Sequence, residues 1–393
     1  MLQPVPRRHI GRKKGGKPRQ RRRQGEEFGG VHARLIDKIR ARNQRYFEGA
    51  PRTANPCTSG RIGTDICAAT LSAPGVFRVH RLCLIFPVLF LAAAVATLVD
   101  AADEPEVRTV AFHSAALGAE LHYLAWLPAG YAATPDARYP VIYLLHGRGD
   151  RMDAWRAALP VLAELVASGA VPPVIAILPD APSSRRAGYY IDSQFTGNHA
   201  LAPGAAVETA LTRDLVAHVE ATFHTRTGRE ARIVAGYSMG GYGALRFALV
   251  HPELFSAALV LSPAVYRPLP PLDSSTREFG AFGRGAEPFE PAIYEARNYE
   301  AAIPPFEAKQ LPLSFFIAVG DDEHAHTSPV DWTHDLDLEA HTFYNRIRRA
   351  KNVTAELRVL NGTHNWDTWL PAFREGIRHL LSLAQSPQPG AQR

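Results

Sequence analysis

The segment EARIVAGYSMGGYGALRFALVHPELF, residues 230–255, constrains the fold more than any other part of the chain. A continuous apolar run, the mark of a strand buried on both faces, ends in Gly236-Tyr237-Ser238-Met239-Gly240. A helical apolar period follows at once and stops at Pro252. A buried strand that turns this tightly into a helix belongs to a parallel α/β sheet.

The flanking sequence repeats the alternation. EVRTVAFHS and AELHYLAWLP read as two antiparallel edge strands. YPVIYLLHG, PPVIAILPD, SAALVLSP and PLSFFIAVGDD read as further buried strands, and TAELRVLNGTH as the last one. Helical periods fall at 153–169, 208–225, 335–351 and 366–384. About fifty Pro- and Gly-rich residues separate the sixth strand from the seventh, and this stretch reads as an insert. The expectation is an α/β fold with a mostly parallel sheet and helices on both faces, over residues 102–393.

Charge and cysteine divide the chain in the same place. Residues 1–50 carry a net charge of +11, whereas residues 102–393 carry −7. The body therefore lacks the basic balance of a nucleic-acid-binding domain, and no nucleic acid is expected to bind it. Cys57, Cys67 and Cys83 are the only cysteines, so a disulfide scaffold, a zinc-thiolate site and a cysteine nucleophile are excluded for the body. Residues 1–75 read as a solvated basic extension, or as sequence absent from the native protein.

Within residues 76–101, Arg78 and Arg81 precede an uncharged apolar stretch from Leu82 to Val99, and Val99-Asp100-Ala101 fits a signal-peptidase site. The expectation is a signal peptide cleaved after Ala101. The alternative is a membrane anchor at 82–99, since eighteen helical residues reach about 27 Å. Either reading exports the body, to the medium, the periplasm or the cell envelope.

The chemistry follows from Gly-x-Ser-x-Gly. Residues flanking the serine in so tight a turn must lack bulk, and the strained turn lifts the Ser238 hydroxyl clear of the sheet. A serine needs a base. His364, between the last strand and the last helix, is the histidine best placed to serve. The base in turn needs a carboxylate. Asp321, Asp322 and Glu323 follow the seventh strand, giving the chain order serine, acid, histidine. Two backbone N–H groups should receive the oxyanion, one from Met239 and one from Arg148 in the loop after the third strand. His324 and His326 lie beside carboxylates, but a polar loop explains them, so no metal and no cofactor is expected.

Four blocks, YPVIYLLHGRGDRMDAW, GYSMGGYGAL, GDDE and GTHNWDTW, together resemble an esterase family. That family includes S-formylglutathione hydrolase (esterase D), feruloyl esterases, enterochelin esterases and the antigen 85 mycolyltransferases. The resemblance covers about residues 107–385 and implies an α/β-hydrolase fold and a serine carboxylic-ester hydrolase. It places the catalytic acid three residues after a glycine, which is Glu323 after Gly320. Aspartate is usual there, and the glutamate leaves Asp322 open as the alternative. Trp155, downstream of the HG loop, and Tyr189 and Tyr190 are taken as substrate-binding aromatics. Phe195, Phe279 and Phe282 either grip an aryl acid or pack the insert. The expected substrate is a small-molecule or glycan-linked ester. Two rivals are an acyltransferase using the same triad and a non-catalytic, membrane-anchored binding protein on a hydrolase scaffold.

Overall fold

The computed structural model describes residues 104–181, 188–197, 205–324 and 333–385. The expectations for residues 1–75 and 76–101, and for His326, fall outside the described residues.

Eight strands form one sheet: β1 (Glu106–Ser114), β2 (Ala119–Leu127), β3 (Val141–Leu145), β4 (Ile175–Pro179), β5 (Arg232–Tyr237), β6 (Ala257–Leu261), β7 (Leu313–Gly320) and β8 (Val353–Leu360). Their order across the sheet is β1-β2-β4-β3-β5-β6-β7-β8. β2 runs antiparallel to both of its neighbours, and every other pairing is parallel. β5, β6, β7 and β8 are therefore consecutive and point the same way, so their C-terminal ends share one edge. In open α/β sheets that edge is where ligands bind.

Alternate residues of each central strand serve opposite faces. Ala257, Leu259 and Leu261 of β6 enter one core with Trp155, Leu162, Phe373 and Ile377. Ala258 and Val260 enter the other with Leu245, Phe247, Phe343 and Ile347. The first face is covered by α1 (Leu159–Ala167) and α7 (Trp366–Gln385). The second is covered by α2 (Leu215–Thr222), α3 (Met239–Val250) and α6 (Leu336–Ile347).

Three helical regions depart from the expectation. The first turns at Met152–Ala158 are 3₁₀, and the α-helix begins only at Leu159, beside Pro160. The helix leading into α2 carries a π turn at Ala210–Asp214. It is tied at both ends: Asp192 accepts from the Thr209 N–H and hydroxyl, and Asp214 accepts from the Ser114 hydroxyl and the Ala116 N–H. Residues between β6 and β7, read as a Pro- and Gly-rich insert with no helix assigned, contain α4 (Pro291–Arg297) and α5 (Tyr299–Lys309). Pro304 and Pro305 lie inside α5 and remove backbone donors. Burial of Tyr299, Ile303 and Phe306 on the same element compensates for those lost bonds.

Candidate active site

Ser238 caps α3 at the end of β5, with φ 56° and ψ −122°. A side chain seldom adopts this conformation unless its surroundings impose it. Here backbone bonds do so: the Ser238 N–H donates to Leu261 O at 2.9 Å, and Ser238 O accepts from Ala264 N at 3.0 Å and Tyr242 N at 3.1 Å. The flanking glycines are required by closeness. A Cβ on Gly236 would stand 2.0 Å from Gly240 O, and one on Gly240 would stand 2.0 Å from Leu145 O and 2.8 Å from His146 O. The first turn of α3 thus rests directly on the chain leaving β3. Met239 is the first residue of α3, so its N–H has no acceptor within the helix. Arg148 lies exposed in the turn after β3, and the register pairs Leu145 with Gly236, setting that turn beside the elbow.

The turn is held by a buried histidine. Ala181 N–H donates to His146 Nε2 at 3.0 Å, which assigns the proton to Nδ1, 2.9 Å from Gly147 O. The His146 carbonyl accepts from the Tyr190 hydroxyl at 2.8 Å. Burial holds the imidazole below the ordinary histidine range, against the raising effect of Gly147 O, Asp180 and Asp150. An unfolded chain takes up a proton near pH 6.5 that the folded state refuses. Stability from this group is therefore complete above about pH 6.5 and declines as the pH falls below it, by at most about 1.4 kcal/mol per unit. Between pH 7.5 and 5.5 the wild-type urea midpoint should fall more than that of H146Q. Parallel declines would contradict the assignment.

On the same edge, His364 Nδ1 lies 2.7 Å from Glu323 Oε2. Glu323 is 2% exposed, whereas the His364 side chain is 36% exposed. Glu323 Oε1 accepts from Ser262 Oγ at 2.6 Å and from Gly320 N–H at 2.7 Å. Asp322, the alternative acid, is exposed, and its N–H donates to Gly362 O. Asp321 likewise serves the loop, accepting from Gly362 N–H at 2.9 Å. The carboxylate brought to the histidine is that of Glu323. Two partners escaped sequence reasoning. Ser262 follows β6, and Trp369 Nε1 on α7 donates to its Oγ at 2.9 Å. Trp369 also stacks on Tyr237 at 4.4 Å and meets His364 edge-on at 5.0 Å. A serine ending an apolar strand beside the elbow was the available signal.

The proposed aromatic contacts are corrected by burial. Trp155 is 0% exposed, packed among Tyr237, Trp366 and Phe373, and so supports the elbow from within the core. Tyr190 is 0% exposed and is spent on the His146 carbonyl. Tyr189 bonds Thr276 at 2.5 Å and packs on Tyr242 and Phe282. Burial pushes its phenol up, partly offset by the Thr276 bond and the charge of Arg148. Phe195 and Phe282 are buried as well. Without surface to present, these rings pack the fold and do not line an open pocket.

Comparison with known proteins places this arrangement. The chain is 32% identical over 158 residues to an esterase of Mycobacterium tuberculosis (strain ATCC 25618 / H37Rv), covering 40% of this chain and 32% of that one. It is 28% identical over 170 residues to an endo-1,4-beta-xylanase/feruloyl esterase of Xylanibacter ruminicola, covering 41% and 22%. The matched region thus spans a third or less of these relatives. A solved ferulic acid esterase superposes with a TM-score of 0.55 at 24% identity, over 72% of this chain and 99% of that one. The S-formylglutathione hydrolase of Agrobacterium tumefaciens gives 0.54 at 16%, over 72% and 96%. These likenesses show that the fold is that of the α/β-hydrolases. The profile of the family described as "Putative esterase" matches residues 114–380, about two thirds of the sequence, and the chain belongs to that esterase family.

Proposed function

We propose that the protein is an exported serine esterase that forms an acyl-enzyme on Ser238. The observation that carries the reading is the His364–Glu323 pair at 2.7 Å, on the sheet edge that also bears the strained serine. In this mechanism Nε2 of His364 takes the Ser238 proton as Oγ attacks the ester carbonyl. The imidazolium is stabilised by Glu323 through Nδ1–H. The Met239 and Arg148 N–H groups hold the oxyanion, each donor contributing about 3–4 kcal/mol of transition-state stabilisation. His364 returns the proton to the departing alkoxide, and water then cleaves the acyl-enzyme by the same base.

The substrate we propose is a carboxylic ester of a small molecule or a glycan, and no step calls for a cofactor. Hydrolysis of p-nitrophenyl acetate together with fluorophosphonate labelling tests the reading: both should be present in the wild type and absent in S238A. Turnover surviving in S238A, or a wild type with neither property, would overturn it. An added alcohol acceptor separates hydrolysis from acyl transfer by the product formed.

Export rests on the sequence. Residues 102–393 hold no thiol to oxidise, and 76–101 have the order of a signal peptide. Among the described residues no helix is long and apolar enough to cross a membrane. N-terminal sequencing of the protein from the source cell should read from Ala102. An intact 1–101 segment on a cytoplasmic protein would refute export.

A further inference from the structure

We propose that Ser262 and Trp369 are positioning residues that hold the Glu323 carboxylate in the orientation in which it serves His364. The proposal rests on the serine-esterase reading. Ser262 is fully buried, and its φ of 41° is left-handed, a conformation that a non-glycine residue keeps only where its surroundings impose it. Its N–H is anchored to Ala318 O of β7 at 2.7 Å. This conformation brings Oγ to Glu323 Oε1 at 2.6 Å.

The direction of the hydrogen bonds is fixed by chemistry. An indole N–H only donates, so the 2.9 Å contact from Trp369 Nε1 occupies a lone pair of Ser262 Oγ. The Ser262 hydroxyl proton must then point at Glu323. With the Gly320 N–H also on Oε1, that oxygen carries two donors, and Oε2 is left to face His364 Nδ1. Trp369 reaches all three parts of the site: by stacking on Tyr237 it adjoins the elbow, by its N–H it adjoins the acid, and by its edge contact it adjoins the base.

The hydroxyl dipole disperses the carboxylate charge. Removing it leaves more negative charge facing Nδ1–H, so the imidazolium is favoured and the neutral base appears at higher pH. The other ionisable groups near the pair are Asp321, Asp322 and His324 after β7, Asp335 before α6 and Asp367 on α7. None of them is altered by changes at 262 or 369, so a shift reads the lost hydroxyl.

The test uses S262A, W369F and the double variant in the full chain, with p-nitrophenyl acetate as substrate. S262A should lower kcat about 10- to 100-fold, the range set by one hydrogen bond to a charged group, with KM within about twofold of wild type. The acid limb of its kcat/KM profile should rise by about 0.5 pH unit. W369F, which keeps a ring against Tyr237, should move both quantities the same way by less. The double variant should fall no further than S262A, because the indole N–H acts through Ser262. Wild-type kcat and acid limb in both single variants, or a double loss equal to the product of the single losses, would overturn the proposal. Should S262A not fold, W369F alone carries the test by the same two readouts. Should the wild type show neither turnover nor labelling, the esterase reading fails by itself. The positioning role is then read from the His364 Nδ1 proton resonance, expected downfield of wild type in S262A and refuted if unmoved.

Discussion

Replacing either Ser238 or His364 with alanine is expected to lower kcat about 10⁴- to 10⁶-fold with the fold retained. For Ser238 the separation of activity from folding is favourable. The structural bonds of this residue, to Leu261, Ala264 and Tyr242, all run through its backbone, so S238A keeps them and removes only the hydroxyl. For His364 the loss leaves Glu323 with two of its three partners, Ser262 and Gly320, so the buried carboxylate is not stranded. H364A should therefore unfold at a urea concentration close to wild type while failing to activate the serine. Steady-state kinetics with p-nitrophenyl acetate, alongside urea denaturation, measures both. Near-wild-type turnover in either folded variant would remove the residue from the mechanism.

The second large effect separates two neighbouring carboxylates. E323Q is expected to lower kcat about 10³- to 10⁴-fold, and D322N to leave it within about threefold. An amide fits badly in the Glu323 position whichever way it turns. With its NH₂ toward His364, the imidazole must accept at Nδ1, which puts the proton on Nε2 and leaves no lone pair for Ser238. With its NH₂ toward Ser262 and Gly320, the Gly320 N–H faces a donor, and the Ser262 hydroxyl has to turn its proton away to accept. Asp322 has no such constraint, because its side chain is exposed. The reverse ranking in kcat would transfer the role to Asp322, and equal small losses would move the acid elsewhere in the chain.

The contrast between these residues shows where sequence reasoning reaches. β1, β2 and the strand-turn-helix around Ser238 were legible because alternation and glycine placement are local. His364 was legible because it stands between a strand and a helix. The choice between Asp322 and Glu323 was not decided by the residues themselves, since neighbours in a loop leave in different directions and only the resemblance ranked them. Ser262 showed only as a serine ending an apolar strand, because its partner lies 61 positions away in the loop after β7, and such a bond leaves no period. The aromatics misled for a related reason: Trp155, Tyr189 and Tyr190 lie near the site in sequence logic, but a large ring near a site serves packing as readily as recognition. Pro304 and Pro305 disguised α5, because local propensity opposes a helix that burial nevertheless stabilises.

The chain has five tryptophans, and three of them, Trp155, Trp366 and Trp369, form one ring cluster around Tyr237, with Trp369 touching His364. The emission of Trp369 therefore originates beside the His364 imidazole. A protonated imidazole is an effective quencher of indole light, whereas the neutral ring is a poor one. In the proposed mechanism Trp369 is then expected to serve as an optical gauge of the proton that His364 takes. Its brightness should follow the charge on His364 through each turnover, readable by stopped flow without a dye, an added label or knowledge of the natural ester.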